Sequence, residues 1–235
     1  MKKLLFLLAV LVVPFMIVAQ PMDTLTTYFE DFDTAPYKVT ISTSINPPAP
    51  DWTPSTTLYR SSPQSIHSPV DVDGNITSIF TDTIRVRRDL NHTYVYLMFD
   101  QICKVNNLDE AYIDYRISTG TTPSGNLTWS SWTQIQFTPT SSFYYGGATN
   151  IVGGKFTDQA YTIWNSANMS ATPTQAWWKH ELFDISQFVV GTSNTHFQIR
   201  FRMRKTSPQG SGTQNCAGWF IDNVRLLSSL TEIIP

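Results

Sequence analysis

The chain has 235 residues and a formal net charge of −2, and its aromatic content of 13% almost equals its charged content of 14%. Because there is no basic excess, we expect no nucleic-acid partner. Abundant aromatic residues with few charges are typical of extracellular β-sheet proteins, and they argue against a helical or a disordered chain.

The N-terminus has the plan of a secretory signal peptide. Lys2 and Lys3 precede an apolar run over 4–18, and Ala19 precedes the first polar stretch. The run is shorter than the about 20 residues that a membrane-spanning helix needs, although a retained anchor is the alternative. We therefore predict a signal peptide over 1–20 and a single domain over 21–235. This domain is expected to have no membrane span and to be secreted, at a cell surface or in the periplasm.

Ten segments have the composition or alternation of β-strands, and none has the pattern of an amphipathic helix. The segments are 25–32, 56–60, 64–68, 76–86, 92–102, 111–118, 132–138, 177–185, 196–204 and 218–227. Turn-rich stretches separate them. Many strands without intervening helices predict an all-β fold, an antiparallel two-sheet sandwich or a barrel.

Two carboxylates lie in phase with apolar residues of their predicted strands. Glu30 is in phase with Tyr28 and Phe32 on the first strand, and Asp222 is in phase with Phe220 on the last. A buried, unpaired carboxylate is too costly to tolerate, so Asp222 is expected to have a cation or several hydrogen-bond donors.

The two cysteines, Cys103 and Cys216, form an even set in an exported chain. In an oxidising compartment such a pair favours a disulfide bond. The alternative is two buried free thiols.

Aromatic residues cluster in and beside a long insertion over 139–176, which has little strand character. They are Trp129, Trp132, Phe143, Tyr144, Tyr145 and Trp164. Long loops are often functional, and exposed rings stack on the apolar faces of sugars, so these residues are candidates for a carbohydrate site. The alternative is that the tryptophans belong to the core. Tyr144 and Tyr145, which precede two glycines, are the better candidates for surface residues.

The segment 196–204 alternates strictly, which predicts a strand with one buried and one wet face. Its wet face carries Arg200, Arg202 and Arg204 as a basic stripe that suits an acidic glycan or a partner carboxylate. Alternatively, these charges protect an exposed strand from pairing.

The sequence contains no metalloprotease HExxH, no GxSxG nucleophile elbow and no glycine-rich phosphate loop. We therefore expect that the protein is not an enzyme.

Together the predicted strands resemble the MAM-like jelly-roll group that includes the cleaved-adhesin domains of gingipain-type bacterial surface proteins. The matching blocks are TYFEDFD (27–33), LMFDQICKVNNLDEAYIDYRIS (97–118), WSSWTQIQF (129–137), WWKHELFDIS (177–186), HFQIRFRMR (196–204) and GWFIDNVRL (218–226). The blocks run in the family's order over nearly the whole of 21–235, and the last block is the most specific. The resemblance implies a two-sheet jelly roll in a secreted bacterial surface protein.

The same resemblance implies a structural calcium ion between the first and last strands, with Glu30 and Asp222 as its ligands. Oxygen ligands from both carboxylates would suit Ca²⁺. The alternative is that Asp222 accepts hydrogen bonds from backbone amides or pairs with Arg85 or Arg225.

Domains that resemble this chain are mostly non-catalytic. The sequence therefore predicts an adhesive or carbohydrate-binding domain whose partner is a glycan or a surface protein. The alternatives are a structural spacer and an accessory domain of a larger secreted protein or hydrolase.

Overall fold

A computed structural model describes residues 24–44, 52–69, 76–85, 94–189, 196–204 and 216–233. The predicted signal peptide over 1–20 lies outside these ranges.

The described residues form thirteen strands, one short α-helix and two 3-10 turns. The strands are β1 (Thr24–Glu30), β2 (Val39–Ser44), β3 (Thr53–Ser55), β4 (Ser65–Ser68), β5 (Ile76–Thr81), β6 (Ile84–Arg85), β7 (Tyr94–Lys104), β8 (Glu110–Thr121), β9 (Leu127–Trp129), β10 (Thr133–Gln134), β11 (Lys179–Asp184), β12 (His196–Arg204) and β13 (Gly218–Ser229). The helix α1 is Ser186–Val189, and the turns are Thr162–Trp164 and Gln175–Trp177. No helix in the described ranges has the length and apolarity that crossing a bilayer requires.

The strands form two antiparallel sheets, which confirms the predicted all-β sandwich. The first sheet has the order β11-β7-β13-β4-β3, with β1 also paired to β13. The second has the order β10-β8-β12-β5-β2, with β6 beside β12 and β9 beside β8. Strands β4, β13, β7 and β11 of the first sheet interleave along the chain with β5, β12, β8 and β10 of the second. This is the connectivity of a jelly roll.

The two sheets enclose an aromatic core between their inner faces. On β12 the four alternating apolar residues from Phe197 to Met203 are buried, as their period of two predicts. The ring of Phe201 meets that of Phe99 on β7 at 5.0 Å and that of Trp219 on β13 at 5.7 Å. These edge-to-face contacts join the sheets across the middle of the sandwich.

Most predicted strands are present, and the differences have local causes. The prediction for 196–204 coincides with β12. No strand forms over 56–60, and 132–138 contributes only the short β10. Beyond β10 the chain turns toward the other sheet, where the ring of Phe137 meets that of Phe183 on β11 at 4.8 Å. Strands β2, β3 and β9 were not predicted.

The long insertion over 139–176 is packed rather than loose. Its backbone runs along the outer edge of β11, where the amide of Tyr145 donates to the carbonyl of Leu182 over 2.8 Å. The side chains of Phe156, Tyr161 and Trp164 are buried. The insertion therefore covers an edge of the first sheet that would otherwise expose unpaired backbone groups.

The predicted disulfide between Cys103 and Cys216 is not formed, since both residues are free thiols. Strand register explains the difference. Cys103 lies opposite Trp219 in the β7–β13 ladder, so Cys216 is three residues away from the paired position. Burial raises the pKa of the Cys103 thiol well above its usual value, which keeps the thiol protonated and weakly reactive.

The carboxylate of Asp222 joins β13 to the loop that precedes β4. One oxygen accepts from the amides of Arg60 at 2.7 Å and Ser61 at 2.9 Å. The other accepts from the Ser61 hydroxyl at 3.0 Å and from the amide of Asn223 at 2.7 Å. At this point one edge of β13 changes partner from β4 to β1, and Asn223 adopts a φ of 50°. The buried carboxylate thus holds the loop at the place where the ladder is interrupted.

We expect Asp222→Asn to lower the free energy of unfolding by about 2–4 kcal/mol. The reason is that the side-chain NH₂ group of asparagine would face donors that now bond to a carboxylate oxygen. Chemical denaturation measures the change. Asp31→Asn is the matched control, since Asp31 makes one 3.2 Å bond at a half-exposed position. Equal stabilities of the two variants would contradict the role of Asp222.

Candidate functional site

The outer face of the second sheet carries a cluster of rings and guanidinium groups that we call the aromatic–arginine face. Its members are Phe80 on β5, Glu110, Tyr112, Asp114 and Arg116 on β8, Trp129 on β9, Trp132 before β10, and Arg200, Arg202 and Arg204 on β12. The face brings together two features that the sequence had left separate, the basic stripe of β12 and two of the candidate tryptophans.

Strand register places these side chains side by side. Arg200 lies opposite Phe80 on one neighbouring strand and opposite Asp114 on the other. Arg116 lies opposite Gln198. Because cross-strand partners point to the same side of a sheet, the outward residues of β5, β8 and β12 share one surface.

Trp132 extends over this surface from its position before β10. The guanidinium carbons of Arg200 and Arg116 lie 4.4 Å and 4.5 Å from its ring centroid, and its ring meets that of Phe80 at 5.7 Å. Trp129 lies 4.9 Å from the guanidinium of Arg116. Both tryptophans are half-buried, so they belong to the surface and not to the core. Cation–π contacts hold the rings on the sheet.

The basic stripe of β12 is partly neutralised by two carboxylates of the neighbouring strand. The carboxylate of Asp114 accepts from Arg200 at 2.6 Å and from Arg202 at 3.0 Å. Glu110 pairs with Arg202 at 3.0 Å and lies 3.7 Å from Arg204. Strand β12 is also internal to its sheet and not an exposed edge. The stripe is therefore an ion-pair ladder that fixes the orientation of the arginines.

Arg116 has a different environment. Its Nε donates to the side-chain oxygen of Gln198 at 2.7 Å, and Gln198 in turn donates to the carbonyl of Thr81 at 2.8 Å. Among the described residues no carboxylate pairs with Arg116. Burial against the rings, followed by the charge of Arg200, lowers the pKa of its guanidinium. The sequence could have singled out Arg116, because it shares the outward phase of Tyr112 and Asp114 on β8.

Two of the predicted sugar-binding residues belong to the interior. Trp164 is fully buried, and its indole N–H donates to the carbonyl of Trp177 at 2.8 Å. Tyr144 is buried against the rings of Phe137 and Phe183. The prediction that Tyr144 is a surface residue was therefore wrong, although it precedes Gly146 and Gly147 as a turn residue would.

Tyr144 serves a buried carboxylate that sequence reasoning missed. Glu181 on β11 is fully buried and accepts from the hydroxyls of Tyr144 at 2.7 Å and Tyr161 at 2.8 Å, and from Gln101 at 2.8 Å. Burial outweighs these three donors and raises the pKa of Glu181 to about 7. The sequence does contain a signal that Glu181 is buried, because Glu181 is in phase with Phe183 on β11. This cluster anchors the insertion to the first sheet.

Tyr145, in contrast, is half-exposed and lines a shallow groove of about 360 Å³. The groove is also lined by Ser142, Phe143, Asp184, Ser186, Gln187 and Glu232. It lies beside β11 and is therefore on a different sheet from the aromatic–arginine face. Tyr145 is thus the candidate residue of a second surface.

The two carboxylates predicted to bind calcium both accept backbone hydrogen bonds. One oxygen of Glu30 accepts from the amide of Phe32 at 2.7 Å, and the other accepts from the amide of Lys38. Asp222 has the four donors described above, which is the alternative that the sequence left open. The described residues contain no cluster of three or more metal-binding side chains. Calcium binding stays a prediction, which melting temperatures with and without chelator would test.

Comparison with known proteins finds similarity in solved structures only. No family model matches the chain, and no curated protein matches it. Two cleaved adhesin domains of Lys-gingipain from Porphyromonas gingivalis are similar in fold. One has 12% identity and a TM-score of 0.41 over 87% of this chain and 100% of that domain. The other has 13% identity and a TM-score of 0.38 over 86% of this chain and 96% of that domain.

A third similar structure is the enzymatically active domain of tailspike protein 4 from bacteriophage CBA120. It has 13% identity and a TM-score of 0.41 over 83% of this chain. This chain spans 20% of the length of that tailspike domain.

We expect Gly146→Ala to destabilise the protein by about 1–3 kcal/mol, because an added methyl group would overlap the Glu181 carboxylate and the Tyr144 hydroxyl. Gly147→Ala is the matched control, since its methyl group would meet Tyr161 at an ordinary 3.5 Å. Thermal unfolding of both variants measures the difference. Equal melting temperatures would show that the Glu181 cluster is not packed as described.

The raised pKa of Glu181 predicts a pH dependence of stability. Between pH 4.5 and about 7 the folded protein retains a proton that the unfolded chain releases. The stabilisation is therefore complete below pH 4.5 and is lost as the pH rises through 7. Asp222, with a pKa raised from 3.8 to about 6 by burial, acts in the same direction.

Glu181→Gln has no proton to lose, so its stability should fall less between pH 4 and pH 8 than that of the unaltered protein. The difference is on the order of 3 kcal/mol, at about 1.4 kcal/mol per pKa unit. Denaturation in a pH series measures it. If the stabilities of Glu181→Gln and of the unaltered protein changed with pH in parallel, Glu181 would be ionised throughout this range and held by its three donors.

Proposed function

We propose that the protein is a secreted, non-catalytic domain of a bacterial cell surface that binds carbohydrate through the aromatic–arginine face. The observation that carries the proposal is the position of Trp132 and Trp129. Both are half-exposed on one sheet face, and arginines hold their rings in place. Aromatic rings that are fixed and partly exposed suit the apolar faces of sugar rings.

Polar groups around the rings add the directional contacts that a sugar needs. Arg116 and Arg200 lie against Trp132, and the Gln198 side chain lies beneath Arg116. Their orientation is set by hydrogen bonds that exist before any ligand arrives. A preformed surface loses less conformational entropy on binding than a mobile loop does.

Sequence features support the export and adhesion parts of the proposal. The signal-peptide pattern over 1–20 supports secretion, and the ordered blocks from TYFEDFD to GWFIDNVRL support an adhesive surface domain. A structural spacer or an accessory domain of a larger secreted protein or hydrolase is the other function that this fold would serve. A spacer would bind no ligand.

We expect Trp132→Ala to weaken glycan binding at least about tenfold, because it removes the ring that lies over both arginines. The measurement is a glycan-array screen of the purified protein, followed by calorimetry on the sugars bound. Tyr145→Ala is the control, because it alters an exposed aromatic residue of the groove beside β11.

If Tyr145→Ala abolished binding while Trp132→Ala did not, the groove would be the binding site and the proposal would be wrong. If a folded sample bound no glycan, the spacer function would replace carbohydrate binding.

A further inference from the structure

The aromatic–arginine face carries more positive than negative charge. Strands β8 and β12 contribute Arg116, Arg200, Arg202 and Arg204 to it, against Glu110 and Asp114. The two carboxylates lie within ion-pair distance of the three arginines of β12. Three arginines share these two carboxylates, so the ion-pair ladder keeps one positive charge, and Arg116, which no described carboxylate pairs with, carries the other.

Arg116 is held in one orientation with its outer nitrogens available. Its Nε is bonded to Gln198, which is buried and is itself held by the backbone of Thr81. Among the described residues neither terminal nitrogen of Arg116 has a hydrogen-bond partner. The planar end of a guanidinium presents two parallel N–H groups, which match the two oxygens of a carboxylate or a sulfate.

The surroundings of Arg116 make an anion favourable there. Three rings lie close to it, with the centroids of Trp132, Trp129 and Phe80 at 4.5, 4.9 and 5.5 Å from its guanidinium carbon. Rings replace water around the charge, and the neighbouring Arg200 repels it. An ion pair is stronger where water is partly excluded. A ligand anion would therefore offset both the loss of water around the Arg116 charge and its repulsion by Arg200.

Trp129 and Trp132 lie on the same surface as those two nitrogens. A ligand that satisfies both groups has an apolar ring face for the indoles and an anionic substituent for Arg116. A sugar that carries a carboxylate or a sulfate ester has both parts. A neutral sugar would leave the guanidinium unpaired, and a simple inorganic anion would leave the rings uncovered.

We infer that the ligand of the aromatic–arginine face is an acidic glycan, whose carboxylate or sulfate group binds Arg116 while its sugar rings stack on Trp132 and Trp129. This inference names the class of carbohydrate and rests on the carbohydrate-binding function proposed above.

The experiment uses matched pairs of probes that differ in charge. One pair is an oligogalacturonate and its methyl ester, and the other is a chondroitin sulfate oligosaccharide and its desulfated form, whose uronate groups remain. Calorimetry at two salt concentrations measures affinity. In at least one pair we expect the more charged probe to bind at least about tenfold more tightly, that is, the oligogalacturonate over its ester or the sulfated probe over its desulfated form. This preference should weaken as the salt concentration rises. The pair that shows this difference in affinity tells whether Arg116 binds a carboxylate or a sulfate.

Arg116→Gln should remove the preference, so that the two probes of a pair bind equally weakly. Arg116→Lys keeps the charge but loses the planar fork, and we expect it to restore only part of the affinity.

Arg225→Gln is the matched control. Arg225 also lies over a ring, 4.8 Å from that of Phe29, but on the other sheet. We expect the affinity of Arg225→Gln for each probe to stay within about twofold of that of the unaltered protein, since the charge of Arg225 lies away from the site. Melting temperatures confirm that each variant is folded.

The outcomes separate this inference from the function on which it depends. Equal affinity for the two probes within both pairs, lost in Trp132→Ala, would keep carbohydrate binding and overturn the acidic class. Preference for charged probes that survives Arg116→Gln would overturn the role of Arg116. Absence of binding to every probe and every arrayed glycan would overturn both proposals, and a protein partner would then be sought.

Discussion

The structure depends on the closing strand β13, which lies at the centre of the first sheet. One edge of β13 pairs with β7 along most of its length, while the other edge pairs first with β4 and then with β1. The change of partner requires an interruption in the ladder, and Asn223 supplies it with a left-handed backbone. At that point the Asp222 carboxylate accepts from the amides of Arg60 and Ser61, so these two backbone donors are satisfied where β4, β13 and β1 meet.

The opposite sheet uses charge differently. On its outer surface the carboxylates of Asp114 and Glu110 are not structural anchors for backbone amides but partners for arginine side chains. The ion pairs orient the guanidinium groups, and the oriented guanidinium groups hold the indole of Trp132. A sheet face is thereby made rigid without a hydrophobic layer above it, and its aromatic rings stay accessible.

Much of the fold could be predicted because alternation with a period of two is visible in the chain. The predicted strand over 196–204 coincides with β12, and the buried position of Asp222 followed from its phase with Phe220. Strand β2 was not predicted because most of its residues are threonine and serine, and its apolar alternation is limited to Val39 and Ile41.

The candidate site was only half predictable. The indoles and the basic stripe were visible as separate features, but their meeting depends on strand register, which the sequence does not reveal. The position of Tyr144 was misjudged because the following glycines suggested an exposed turn. Its hydroxyl is instead buried as a donor to Glu181, a residue far away in sequence.

The pairing of β1 with β13 determines how the domain would respond to mechanical load. Thr24 lies opposite Ser229, so the outer ends of the two strands lie side by side at one end of the first sheet. A force that draws these two ends apart acts across the ladder and not along it, and it loads the hydrogen bonds one pair at a time. Such an arrangement peels open progressively under modest tension, whereas a shear geometry resists until many bonds fail together. For a domain anchored through both ends, β1 would therefore be the first strand released.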